Sequence, residues 1–64
     1  EILYLRAELQ RREGRFEEAH AGFTRFLDDP PHERDWKRAA EVLRLRAAAQ
    51  DPSDLTFEQI LGGG

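Results

Sequence analysis

The sequence predicts an all-α chain of four short helices, and three observations carry that prediction. Ala, Glu, Lys, Leu and Arg make up 34 of the 64 residues, a bias associated with helical chains. Only Ile2, Thr24, Val42, Thr56 and Ile60 are branched at Cβ, so strand-forming side chains are scarce. The apolar residues recur at helical spacing, in segments separated by Gly and Pro signals.

The first segment, Glu1 to about Arg12, places Ile2, Leu5 and Leu9 at i, i+3 and i+7. Leu3 and Tyr4 widen this stripe, which is of the kind that faces a core. Gly14 can take φ > 0 and close the helix, making a turn into the next one. The second segment is the clearest: Phe16, Ala19, His20, Phe23, Phe26 and Leu27 fall on one face. Glu17 and Glu18 lie in its first turn, where the helix dipole favours carboxylates. Asp28-Asp29-Pro30-Pro31 ends it, because prolines remove donors and disfavour helix in the residue before them.

A third helix is expected from Glu33 to Gln50. Trp36, Ala39, Ala40, Leu43 and Ala47 form one apolar face, and Val42, Leu45 and Ala49 a second. A helix apolar on two sides has two neighbours. No Gly stands where this helix should turn, so Ala47-Ala48-Ala49-Gln50 reads as a continuation. Asp51-Pro52-Ser53-Asp54 then reads as an N-cap followed by Pro at the first helical position. The final helix runs to about Leu61 with Leu55, Phe57, Ile60 and Leu61 as its apolar side chains. The turn signals break any heptad, so a stack of short helices is expected rather than a coiled coil.

Glu13-Gly14-Arg15-Phe16-Glu17-Glu18-Ala19, then Phe23, Phe26-Leu27 and Asp29-Pro30-Pro31, resembles the second half of a tetratricopeptide repeat (TPR). The resemblance covers about residues 3–31. It implies that Ala19 lets two antiparallel helices approach, that Ala7 receives it, and that Phe16 and Phe23 fill the crossing. Tyr4 is offset from the family's first aromatic position, and Phe26 is bulkier than the small residue common there. The implied division is a TPR-like helical hairpin at 1–31, a capping or second-repeat helix at 33–50, a short C-terminal helix at 51–61 and a Gly tail at 62–64. Repeat arrays need about three repeats for stability. One and a half therefore imply the C-terminal piece of a longer α-solenoid, a dimer, or a domain completed by another chain. Glu1 in place of Met and the closing Gly62-Gly63-Gly64 read as the ends of a trimmed fragment.

Several function classes are set aside by composition. No cysteine means no disulfide, thiolate ligand or cysteine nucleophile. The longest apolar run is Ile2–Leu5, too short for a membrane span; the compartment stays open, with the cytoplasm as the expectation. Net charge is −3, against a nucleic-acid module. The basic stretch from Arg34 to Arg46 does not overturn that, since Trp36 and Leu43 within it ask for burial. Glu17-x-x-His20 has the spacing of a di-iron ligand pair, but a second such motif is missing and His20 reads as a packed histidine on the apolar stripe. Ser53 has no base near it in sequence and no Gly-rich phosphate cradle is present, so no catalytic residue, metal or cofactor is expected.

The expectation is a non-catalytic protein–protein interaction or scaffolding module. On the TPR resemblance, the inner face would present Tyr4, Glu8, Arg11 and Arg12 from the first helix and Arg38, Val42 and Leu45 from the third. Family members that grip a C-terminal carboxylate use Lys and Asn there; one Lys and no Asn leave that mode unsupported. An Arg-lined, partly apolar groove suits an acidic or amphipathic peptide. The plainer reading makes these arginines solvated, in pairs such as Glu8–Arg12. The alternative function is self-association, with a second copy as partner. The last helix, acidic and amphipathic, could dock on another copy or fold back over Val42 and Leu45.

Overall fold

The computed structural model describes residues 2–32 and 35–62. They form four helices and no strand: α1 Ile2–Arg12, α2 Phe16–Phe26, α3 Trp36–Ala48 and α4 Phe57–Gly62. The expected starts of the first and third helices (Glu1, Glu33, Arg34) and the last two tail residues lie outside the described residues. α1 packs on α2, α2 on α3 and α3 on α4, and α1 also reaches α3.

α1 ends as its glycine requires. Gly14 has φ +87°, its N–H donates to Arg11 O at 3.1 Å, and Arg15 N–H donates to Gln10 O at 2.8 Å. That pair of bonds satisfies two carbonyls that the helix end would leave orphaned. The opening of α2 is held by Glu18, which accepts from Arg15 Nε at 2.8 Å. α2 stops at Phe26, ahead of Pro30-Pro31.

α3 does not run on. It ends at Ala48 with Gln50 at φ +58°, Gln50 N–H donating to Ala47 O at 3.0 Å and Asp51 N–H to Arg46 O at 2.9 Å. A glutamine here makes the turn that Gly14 makes after α1. Nor does α4 begin at Asp51-Pro52. Residues 51–56 are irregular, and the cap is Thr56. Thr56 Oγ1 accepts from Gln59 N–H at 3.1 Å while Gln59 Oε1 accepts from Thr56 N–H at 2.9 Å, a reciprocal capping box. Gly62 closes α4 rather than beginning a tail.

Five of the ten buried apolar residues are Ala7, Ala19, Ala39, Ala40 and Ala47, so the helices approach closely. Ala7 approaches Gly22 closely: a Cβ on Gly22 would lie 2.9 Å from Ala7 Cβ. Larger side chains fill what remains. Tyr4 has its ring 5.9 Å from Phe23, 5.6 Å from Phe26 and 5.0 Å from Trp36, and Trp36 is 5.2 Å from Phe57. Ring contacts therefore join all four helices. The radius of gyration is 10.4 Å, against about 10.7 Å for a compact domain of this length, so the chain covers its own core.

Expected faces are corrected on three helices. α1 buries Tyr4, Ala7, Glu8 and Arg11, while Ile2, Leu5 and Leu9 are 84%, 57% and 57% exposed on the side roughly opposite. His20 is exposed rather than packed, and Phe16 is half-buried at the end of α3 rather than in the α1–α2 crossing. On α3 the face of Ala39, Ala40, Leu43 and Ala47 is buried as expected, but Leu45 remains 69% exposed.

Candidate functional site

The polar side chains expected to meet a partner converge instead on the chain's own connector between α3 and α4. Glu8, Arg11 and Arg12 stand at i, i+3 and i+4 on α1, so one carboxylate can serve both guanidinium groups. Arg11 donates from Nε to Glu8 Oε1 and from Nη2 to Glu8 Oε2, each at 2.7 Å. Nη1 donates to Asp51 O and Nη2 also to Ser53 O, both at 2.5 Å. The Arg11 side chain is fully buried and that of Glu8 nearly so. Hydrogen bonding to Glu8 raises the Arg11 pKa further above its ordinary value, against the opposing effect of burial. A buried charge is tolerable only when paired and hydrogen-bonded, and each of the three Arg11 nitrogens has a partner.

Arg12 extends the clasp outward. It donates to Glu8 Oε2 at 3.1 Å, meets Asp54 Oδ1 at 3.1 Å and approaches Leu55 O at 3.5 Å. The two arginines thus read the carbonyls of residues 51, 53 and 55, alternate positions of an irregular strand of chain. Asp51 fixes the start of that strand. Its Oδ1 accepts from the Ser53 hydroxyl and N–H, and its Oδ2 from Arg46 at 2.8 Å. Those donors, Ser53 first, hold the Asp51 carboxyl at a pKa of about 2. Ser53, read from sequence as part of a helix's first turn, is therefore a turn residue within the connector.

Of the seven candidate binding residues, Tyr4, Glu8 and Arg11 are buried and occupied inside the molecule. Tyr4, Glu8 and Arg12 share one groove, with Leu5 and Trp36 beside them and Leu55, Phe57 and Ile60 of the C-terminal arm against it. About 190 Å³ remains open there, too little for a second ligand while the arm is in place. Arg38 is exposed elsewhere on α3, in a separate depression with Pro31, Lys37 and Glu41. Val42 is half-buried against the core and Leu45 faces solvent. The last helix folds back in cis, over Trp36 rather than over Leu45.

Sequence reasoning offered the last helix to the Arg-lined face of a second copy, or in cis to Val42 and Leu45, and missed the arm as the occupant of its own chain's groove. The signal available was Asp51 and Asp54 placed after two adjacent arginines, together with Thr56-x-x-Gln59 marking the true helix start. Among the described residues no three His, Asp or Glu side chains gather closely enough to hold a metal ion, and no helix is long and apolar enough to cross a membrane. No family model matches the chain, and no curated protein or solved structure matches it either.

Proposed function

We propose that the chain is a non-catalytic protein–protein interaction module, a TPR-like helical hairpin with a capping helix, whose partner meets the outer face of α1. The observation that carries this reading is the exposure of Ile2, Leu5 and Leu9 together, opposite the buried face of the same helix. Single exposed aliphatic residues are ordinary; three on one helical stripe are a surface for a second helix. Arg11, Arg12, Arg15 and Arg46 pair with the chain's own carboxylates, and a net charge of −3 favours a protein partner over a nucleic acid.

The partner implied is an amphipathic helix that lays its apolar stripe along α1. Affinity capture from the native source, run in parallel with the wild-type chain and an Ile2→Asp/Leu9→Asp variant, tests this. Both substitutions are on exposed positions and should leave the thermal melt within about 0.5 kcal/mol of wild type. A partner retained by the wild type and lost by the variant is the expected result. Equal capture by both overturns the assignment of the face. A second reading, self-association, rests on the C-terminal arm rather than on α1.

A further inference from the structure

We propose that the arm at residues 51–62 exchanges between two copies of the chain, so that the groove between α1 and α3 is a self-recognition site for a second copy's acidic arm. This develops the self-association reading and is independent of the outer face of α1.

The arm is held as a ligand would be held. Arg11 takes the carbonyls of Asp51 and Ser53, Arg12 takes Asp54, Phe57 sets its ring 5.2 Å from Trp36, and Ile60 is 4% exposed. Arginine forks, an aromatic contact and a buried aliphatic anchor are the means by which grooves bind extended acidic segments. A guanidinium that reads backbone carbonyls asks only that a strand of chain be present. The carboxylate of Asp54 and the side chains of Phe57 and Ile60 then select this strand.

What ties the arm to its own groove is one residue. Gln50 sits at φ +58°, a region where a Cβ crowds the backbone and where glycine or asparagine is usual. Closing the arm in cis needs that turn. Exchange does not: with residue 50 relaxed to extended backbone, as suits a chain that reaches Pro52 two residues later, the connector leaves α3 without turning back, and each arm lies in the other copy's groove with the contacts above reproduced. Short strained hinges favour this trade, and swapping an identical element needs no new interface. A segment from an unrelated protein would have to match Asp54, Phe57 and Ile60 at the same spacing, whereas the second copy matches them by construction.

Molecular mass measured by sedimentation equilibrium from about 1 µM to about 1 mM tests the proposal. The wild type is expected to dimerise toward the upper end. Gln50→Gly relieves both closed hinges and should weaken the dimer about tenfold or more. Gln50→Pro locks φ near −65° and removes the N–H that donates to Ala47 O, so it should dimerise at concentrations where the wild type is monomeric. An isotope-filtered NOE between Trp36 and Phe57, in refolded mixtures of labelled and unlabelled wild-type chain, reads the exchange without any substitution. Its appearance between copies is the expected result. A dimer with that NOE only within each copy overturns the proposal, as does a wild-type chain monomeric throughout. Loss of the dimer in Ile2→Asp/Leu9→Asp, with the hinge variants unchanged, also overturns it and leaves the α1 face as the site of association.

Discussion

The turns after α1 and after α3 share one backbone plan but lead into very different stretches of chain. At Gly14 a glycine takes the positive φ, and α2 begins two residues later, packed through Ala7 on Gly22 and Tyr4 on Phe23. At Gln50 the same turn is made by a residue with a Cβ, and six irregular residues pass before α4. The first connection is closed by apolar contact between two helices. The second depends on hydrogen bonds from Arg11, Arg12 and Arg46. One chain thus contains a hairpin held by apolar packing and an arm held by arginine hydrogen bonds as well as by Phe57 and Ile60, and the two should fail differently.

Arg11 offers the largest test of that difference. Arg11→Leu leaves the buried Glu8 with Arg12 as its remaining partner and removes donors from two carbonyls, an expected loss of about 3–5 kcal/mol. A chain of this size has a total stability of about 3–10 kcal/mol, so the thermal transition should broaden or vanish. Adding Glu8→Leu should restore the α1–α2 hairpin, seen as recovered helicity, without restoring the clasp on residues 51–55. Gly22→Ala attacks the hairpin alone. Its Cβ would meet Ala7 Cβ at 2.9 Å between two helix backbones, for a loss of about 1–3 kcal/mol in chemical denaturation.

The turns themselves give smaller effects of opposite sign. Nothing lies within 4 Å of a Cβ added at Gly14, so Gly14→Ala should cost only the left-handed backbone conformation, about 1–2 kcal/mol. Gln50→Gly should stabilise by about 0.5–1 kcal/mol in the same denaturation experiment, because the strain is already present there. The smallest effect is with pH. Asp51 titrates at about 2 in the folded chain against an ordinary 3.8, so its contribution is complete above about pH 4 and is lost as pH falls through about 2. Melting points followed over that interval should fall less steeply in Asp51→Asn than in the wild type.

How far the sequence discloses this molecule depends on whether the deciding interaction is local. The turn at Gly14, the stop before Pro30-Pro31 and the alanine-rich face of α3 follow from spacing and from residues whose backbone preferences are strong. The buried face of α1 does not. Its periodicity favours Ile2, Leu5 and Leu9, and charged residues are rarely buried, so Glu8 and Arg11 read as surface. Only a connector forty residues further along explains why they are inside. Gln50 hides its turn because αL geometry is expected of glycine, and Asp51-Pro52 imitates a helix start that the Thr56–Gln59 box supplies instead. The candidate groove was legible as a place where arginines gather. Its occupant, being part of the same chain, was not.

Trp36 is the single tryptophan of the sequence, and its indole lies between the rings of Tyr4 at 5.0 Å and Phe57 at 5.2 Å. Tyr4 belongs to the hairpin and Phe57 to the arm, so the indole marks the seam between them. Its emission is therefore an intrinsic optical reporter: water reaching the ring when the arm lifts would shift the spectrum to the red while α1 and α2 remain helical. Fluorescence and circular dichroism recorded on one sample would then separate opening of the seam from loss of the fold, with no dye or label attached.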